Sequence, residues 1–129
     1  MDTLVITHQK GGVGKTTIAA LLAWWFAQKD QARVALLDLD SQKNLTRTFA
    51  RHRYLRAAPL FAAAGLRLAD RPPGAPCLFA GATELSDLER ASPEVIRHLR
   101  NHVVQLRPHF DYCLIDTPHR PWSFACAQP

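Results

Sequence analysis

The sequence has few cysteines, and none of them is spaced for a metal site. Only three occur in 129 residues, at Cys77, Cys113 and Cys126, and no two of them form a C-x-x-C pair. A zinc site needs closely spaced ligands, and a complete disulfide framework needs an even number of cysteines. We therefore expect reduced thiols, as in a cytoplasmic protein, and neither zinc nor disulfides.

Long apolar runs are also missing. No stretch of about 18 apolar residues occurs, so no membrane-spanning helix is expected. The first residues, MDTLVITHQ, lack the charged and apolar regions of a secretory signal. Hydrophobic residues nevertheless make up 47% of the chain, which is enough for one core. These features predict a single domain in the cytoplasm with no membrane partner.

Acidic residues are outnumbered by basic ones, giving a formal charge of +5. The excess is concentrated in RTFARHRYLR, which carries Arg47, Arg51, Arg53 and Arg56. Such a cluster could contact nucleic acid phosphates, or it could be the solvated face of a helix. Because no interleaved aromatic pattern or binding motif accompanies it, the second interpretation is favoured.

Apolar runs alternate with helical patterns along the chain. Alternating strands and helices predict an α/β fold, a parallel sheet flanked by helices, with its ligand crevice at the carboxyl ends of the strands. In the apolar first helix we expect Trp24 and Trp25 to be covered. Predicted strands are 3–7, 33–38 and 111–116, with a short one at CLFA inside a mostly irregular 66–82. Predicted helices are 15–29, 44–56 and one from Pro93, capped by Ser92 and ended by Pro108.

The first strand runs into the glycine-rich stretch HQKGGVGKTT, residues 8–17. Glycines followed by lysine and threonine at the start of a helix form a phosphate-binding loop, because backbone N–H groups can then approach a polyphosphate. Lys15 is placed to reach the β- and γ-phosphates, the Thr16 hydroxyl to bind Mg²⁺, and Thr17 to donate to the α-phosphate. The expected nucleotide-binding residues are Lys10, Gly11, Gly12, Val13, Gly14, Lys15, Thr16 and Thr17.

Carboxylates follow the other two strands. Alternation along a strand places Asp38 and Asp40 on the same side, and an acid there can orient an attacking water or hold a metal-bound water. Asp116 ends the last strand, where it can hold the Mg²⁺ shell through water. The predicted metal site comprises Thr16, Asp40 and Asp116.

With these residues, the chain resembles the ParA/MinD family of P-loop ATPases. The deviant Walker A motif of that family, K-G-G-x-G-K-[ST]-[ST], is met from Lys10 to Thr17. DLDSQKNLT is similar to the D-x-D-P-Q-G-N-L-T of the partition branch, and DYCLIDTP resembles its Walker B motif. The likeness spans residues 3–118 and favours a ParA-type protein over a MinD-type one.

The resemblance implies a function. It implies an ATPase that uses ATP and Mg²⁺ and forms a homodimer with ATP, in which Lys10 reaches across to the partner's nucleotide. Asp40 then positions the attacking water and Asp116 is the Walker B acid, so Lys10, Lys15 and Asp40 are the expected catalytic residues. The family acts in plasmid or chromosome partition, with a ParB-like partner protein and non-specific DNA.

The sequence differs from the family pattern at three positions and in its last eleven residues. Leu21, Ser41 and Lys43 stand where the family often has asparagine, proline and glycine. After Pro118 the tail HRPWSFACAQP does not follow the family. Some codon choices for it, read in another frame, give the more family-like PALVVRMRAA. We therefore expect residues 1–118 to be the N-terminal part of a ParA-type domain, incomplete at its C-terminus, and residues 119–129 to be irregular. The alternative function is a truncated or frameshifted remnant with weak phosphate binding and no partition activity.

Overall fold

The structure is a computed structural model that describes residues 1–6, 14–69, 73–83, 85–86 and 92–118. Most of the glycine-rich stretch and the whole tail lie outside these ranges. The predictions for Lys10, Gly11, Gly12 and Val13, and for residues 119–129, therefore concern parts of the chain that the structure does not describe.

Within the described ranges, five parallel strands form one sheet, in the spatial order Asp2–Ile6, Tyr112–Asp116, Val34–Asp38, Cys77–Ala80 and Arg53–Arg56. Helices lie between them along the chain, which confirms the predicted parallel α/β fold. The strands are β1 (Asp2–Ile6), β2 (Val34–Asp38), β3 (Arg53–Arg56), β4 (Cys77–Ala80) and β5 (Tyr112–Asp116). The helices are α1 (Lys15–Lys29), α2 (Asn44–Thr48) and α3 (Pro93–Gln105), with short 3₁₀ turns at Ala50–His52 and Ala58–Phe61.

The central strands are buried because both faces of the sheet are covered. Every residue of β2 is buried, which explains its continuous apolar run. On one face, Leu36 packs in a cluster with the small residues Ala19, Ala23 and Ala27 of α1. Leu37 belongs to the cluster on the other face, with residues of α3. The alanines let α1 approach the sheet closely, and each fully buried leucine contributes about 1.5–3 kcal/mol.

Helix α3 begins as the sequence predicts. Ser92 is its N-cap, and the Ser92 hydroxyl accepts a hydrogen bond from the backbone N–H of Val95 at 3.4 Å. Pro93 occupies the first turn, where its missing N–H costs nothing, and Glu94 complements the helix dipole. The helix ends at Gln105, a few residues before Pro108, and Leu106 caps it with bonds to the preceding carbonyls.

The prediction of a helix over residues 44–56 is wrong in its second half. Helix α2 ends at Thr48, and Arg53–Arg56 form the edge strand β3, paired in parallel with β4. Phe49, the residue after α2, is 1% exposed and stacks on Trp24 at a ring distance of 5.9 Å. The chain therefore leaves the helix at the point where this ring is buried. Pairing with a distant strand has overridden the local helical pattern.

The two neighbouring tryptophans differ in burial. Trp24 is partly buried against Phe49 and His52, as expected. Trp25 is 55% exposed and has the Lys29 ammonium 4.5 Å from its ring centre. The prediction that both are covered is therefore wrong for Trp25. Among the helices described, none is both long and apolar enough to cross a membrane.

Candidate functional site

The carboxyl ends of three strands meet at one edge of the sheet. Asp116 at the end of β5 is in register with Ile6 of β1 on one side and with Asp38 of β2 on the other. The backbone N–H of Leu39 donates to the Asp116 carbonyl at 2.9 Å, and the Thr117 hydroxyl donates to the Ile6 carbonyl at 2.9 Å. These bonds continue past the strands and fix the polar residues that follow them.

Helix α1 begins at this edge and places a lysine inside it. Gly14 precedes the helix with φ 83°, a left-handed conformation that glycine adopts without strain, and its carbonyl accepts from the N–H of Ile18. Lys15 is 8% exposed. Its ammonium nitrogen lies 2.8 Å from Asp116 Oδ1 and 3.9 Å from Asp40 Oδ2. One cation therefore faces two buried carboxylates.

The next residue binds the same carboxylate. The Thr16 hydroxyl donates to Asp116 Oδ2 at 3.1 Å, so each oxygen of Asp116 faces one residue of the loop. Thr17 lies exposed in the first turn of α1. The structure thus brings Thr16, Asp40 and Asp116, the predicted metal set, together around Lys15.

The arrangement fits a bound phosphate and a magnesium ion. Lys15 Nζ and Asp116 Oδ1 form an ion pair, and neither of these buried atoms has a further hydrogen-bond partner among the described residues. An ammonium carries three N–H donors, so Lys15 can also bind a phosphate oxygen beside its contact with Asp116. In the described ranges no three His, Cys, Asp or Glu residues cluster to hold a metal by themselves. Mg²⁺ suits such a site, since it takes few protein ligands and completes its shell with phosphate and water.

Asp38 has a different environment from Asp40. Its Oδ2 accepts from the backbone N–H of Thr46 at 2.8 Å and from the Thr46 hydroxyl at 2.6 Å, and its Oδ1 accepts from the N–H of Asp40 at 3.1 Å. Burial raises the pKa of Asp38, while the bonds from Thr46 and Asp40 act in the opposite direction. Asp38 is therefore held by donors of the protein itself, and Asp40 is the acid nearer to Lys15.

Two residues of this network have no predicted role in the sequence analysis. Thr46 connects β2 to β4, because its hydroxyl also accepts from the Gly81 N–H at 2.7 Å. A side chain at Gly81 would be tightly packed: a Cβ there lies 3.0 Å from Asp38 Cγ and 3.1 Å from the Asp40 carbonyl. The only sequence signals were the position of Thr46 in DLDSQKNLT and of Gly81 directly after the apolar run CLFA.

Related proteins align with most of the length of this chain. It is 37% identical over 124 residues to Protein IncC of Escherichia coli, an alignment covering 91% of this chain and 34% of IncC. It is 32% identical over 123 residues to the chromosome-partitioning ATPase Soj of Treponema pallidum, covering 90% of this chain and 48% of Soj. The chain thus spans between a third and a half of the length of these relatives.

Solved structures share the fold. The ATP complex of a Cyanothece McdA variant superimposes with a TM-score of 0.73 at 30% identity, over 98% of this chain and 52% of McdA. The pNOB8 ParA bound to nonspecific DNA does so with a TM-score of 0.69 over 95% of this chain and 49% of that protein. At 21% identity, the second likeness shows the fold alone.

A family profile assigns the chain to a family of nucleotide-binding domains. The profile described as the CobQ/CobB/MinD/ParA nucleotide binding domain matches residues 4–110, most of the chain. Its relatives by sequence include a chromosome-partitioning ATPase, and the residues expected to touch phosphate and metal converge at one edge of the sheet. The chain therefore belongs to the CobQ/CobB/MinD/ParA family and is of the ParA type.

Proposed function

We propose that this chain is the nucleotide-binding part of an ATP-binding, Mg²⁺-dependent ATPase of the ParA type, acting in plasmid or chromosome partition. The observation that carries the proposal is the buried contact of Lys15 Nζ with Asp116 Oδ1 at 2.8 Å, beside the Thr16–Asp116 bond. A lysine and a hydroxyl that converge on one acid at a helix N-terminus form a site for phosphate and magnesium.

Each residue of the site has one role in the proposal. Lys15 holds the phosphates, and Thr16 with Asp116 holds Mg²⁺, directly or through water. Asp40 orients the attacking water, because its carboxylate lies at the same edge and 3.9 Å from the ammonium of Lys15. When bound, Mg²⁺ neutralises charge that develops on the phosphate oxygens.

The dimer and the partners extend the proposal beyond the described residues. Lys10 of each copy reaches the nucleotide of the other, so that two ATP molecules are enclosed in a homodimer that forms only with ATP. A ParB-like partition protein and non-specific DNA are the proposed partners, and the cytoplasm is the proposed location. The relative Soj, named as a chromosome-partitioning ATPase, supports a partition role, while the partners rest on the family resemblance.

The alternative, a remnant with weak phosphate binding and no partition activity, is less well supported. The contacts of Lys15 with Asp116 and Asp40, and of Thr16 with Asp116, support an intact site. All four are buried or partly buried at one place in the fold.

Calorimetric titration of ATP with Mg²⁺ tests the proposal. The wild-type chain is compared with Lys15→Ala and with Lys29→Ala, which removes an exposed lysine from the other end of the same helix. We expect Lys15→Ala to weaken binding about tenfold or more and Lys29→Ala to leave it unchanged. Light scattering on the same samples measures the mass with and without ATP. Equal ATP affinity of wild type and Lys15→Ala would contradict the proposed site, and a mass unaffected by ATP would contradict the proposed dimer.

A further inference from the structure

A second concentration of positive charge does not include Lys15. Lys43, Arg47, Arg53 and Arg56 line one pocket of about 380 Å³, which we call the basic pocket. Thr46 and Gly81 contribute to its wall, and no acidic side chain is among the described residues that line it. The positive charges of Lys43, Arg47 and Arg53 repel each other across this concave site, and the repulsion is relieved when an anion enters.

The strand geometry explains how two arginines reach this pocket together. Residues three apart in a regular strand point to opposite faces. Strand β3 has an irregularity between Arg53 and Leu55, so Arg53 lies opposite Leu78 and Arg56 opposite Ala80. Leu78 and Ala80 are two apart in β4 and share the face covered by α1. The bulge therefore turns both arginines toward the same side of the sheet.

The other two cations are Arg47 in helix α2 and Lys43, the residue that precedes this helix. Lys43 and Arg47 are one helical turn apart, and the Arg47 N–H donates to the Lys43 carbonyl at 3.1 Å. The Arg47 guanidinium has a neutral partner, the side-chain oxygen of Asn44 at 3.2 Å. Its charge is thus oriented without being neutralised by that contact.

Lys43 occupies a backbone position that does not favour lysine. Its φ is 58°, in the left-handed region that glycine adopts freely and that costs other residues about 1–2 kcal/mol. The backbone conformation at this position therefore favours glycine and does not require lysine. The Lys43 side chain, by contrast, completes the charge of the basic pocket.

We propose that the basic pocket binds a compact anion carrying two or more phosphate groups, at a site separate from the one at Lys15. The pocket has the size of a small-molecule site rather than of an extended groove. Arg51 belongs to the same basic segment of the sequence but does not line the pocket. The charges therefore converge on one point, where a nucleic acid backbone requires them to be spread along a surface. One guanidinium group can donate two parallel hydrogen bonds to the oxygens of a phosphate, which suits this ligand.

The pocket is also connected to the candidate site. Thr46 lines it, and the Thr46 hydroxyl donates to Asp38, whose other oxygen accepts from the N–H of Asp40. An anion in the basic pocket lies next to the residue that holds these bonds. We therefore expect an anion bound in the basic pocket to affect the position of the segment that carries Asp40.

Amide chemical shifts in nuclear magnetic resonance test the proposal site by site. Inorganic triphosphate is titrated into the full chain without Mg²⁺, and the amides of Gly81, Ala82 and Thr83 report the basic pocket. The amides of Lys15 and Thr16 report the other site, so failure of one site is distinguishable from failure of the other. We expect saturable shifts at the pocket amides.

Two double variants with the same loss of charge provide the contrast. Lys43→Gly with Arg53→Gln is expected to weaken triphosphate binding at the pocket amides about tenfold or more. Arg51→Gln with Arg100→Gln, both at exposed positions outside the pocket, is expected to change it by less than about twofold. Lys43→Gly alone is expected to raise the thermal midpoint while weakening binding, which a merely structural lysine does not do.

Three results overturn the proposal. The first is the absence of saturable shifts at the pocket amides, and the second is an equal loss in both double variants, which indicates attraction by net charge. The third uses a short DNA duplex as competitor. If the duplex displaces triphosphate and its shifts extend to Arg51 and Arg100, the ligand is a nucleic acid and not a compact anion.

Discussion

The ammonium of Lys15 and the carboxylate of Asp116 form a buried ion pair at 2.8 Å, with Asp40 as a second, more distant acid. Neutralising the cation leaves two buried carboxylates uncompensated, whereas neutralising Asp116 leaves Lys15 with Asp40. We therefore expect Lys15→Met to lower the free energy of unfolding by about 3–5 kcal/mol, and Asp116→Asn to lower it by less. Urea denaturation without nucleotide measures both, and the exposed Lys29→Met serves as the control. A larger loss in Asp116→Asn than in Lys15→Met contradicts this account.

A substitution at Asp40 can distinguish ATP binding from ATP hydrolysis. Its Oδ1 accepts from the Gln42 N–H at 2.9 Å, a bond that the side-chain oxygen of Asn can keep, so Asp40→Asn preserves the local turn. If Asp40 orients the attacking water, this variant lowers kcat about 10²–10⁴-fold with little change in ATP affinity. Phosphate release and calorimetry measure the two quantities, with the exposed Asp30→Asn as the matched control. A variant that hydrolyses ATP at the wild-type rate excludes this role.

Thr46 is expected to stabilise the fold through its hydroxyl. Thr46→Val keeps the shape but removes the 2.6 Å bond to Asp38 and leaves the Gly81 N–H without its acceptor. Because these groups are buried or partly buried, we expect a loss of about 1–3 kcal/mol in unfolding free energy. Thr46→Ser keeps the hydroxyl and should lose clearly less. Equal losses for valine and serine mean that the methyl group, and not the hydrogen bonds, is responsible.

The sequence predicts the parts of this molecule that depend on neighbouring residues. Strands β2 and β5 are continuous apolar runs that end in an acid, and α1 follows a glycine-rich loop, so the meeting of Lys15 with Asp116 could be anticipated from the topology of parallel sheets. Strand β3 could not, because its residues carry a helical pattern and become a strand only by pairing with β4.

The hydrogen-bond network around Asp38 could not be predicted from the sequence either. It joins β2, α2 and the end of β4, and only the folded chain brings Thr46 and Gly81 to the same carboxylate. The sequence marks Asp38 and Asp40 as alike, since both are acids at the end of one strand. Their partners make them different: Asp38 accepts from three donors, while Asp40 approaches Lys15.

Gly81 tests how closely that network is packed. A methyl group at Gly81 lies 3.0 Å from Asp38 Cγ and 3.1 Å from the Asp40 carbonyl, so both the carboxylate of Asp38 and the backbone of Asp40 must shift slightly. We expect Gly81→Ala to lower the unfolding free energy by about 1–3 kcal/mol. Its effect on ATP hydrolysis should exceed its effect on ATP binding, because the displaced segment carries Asp40. Gly65→Ala is the control, since a methyl group there meets nothing within 4 Å.

The pair of Asp111 and Arg33 predicts an acid dependence of stability. The Arg33 backbone N–H donates to Asp111 Oδ2 at 2.8 Å, and the guanidinium adds longer bonds. These bonds lower the pKa of Asp111 below its ordinary value of 3.8, the backbone bond most strongly. A lowered pKa in the folded state means that the stabilisation is complete above 3.8 and is lost as pH falls through the folded value.

Because the Asp111 side chain is about half exposed, solvent screens this stabilisation and we expect it to be small. Asp111→Asn should be less stable than wild type by about 0.5–1 kcal/mol near neutral pH. As pH falls below 3.8 the wild-type carboxylate takes up its proton, so the difference between the two proteins should shrink toward zero. Thermal unfolding of both proteins across this range measures it, with the exposed Asp30→Asn run in parallel. A difference that grows on acidification contradicts the lowered pKa, because it requires Asp111 to bind its proton more readily in the folded chain than in the unfolded one.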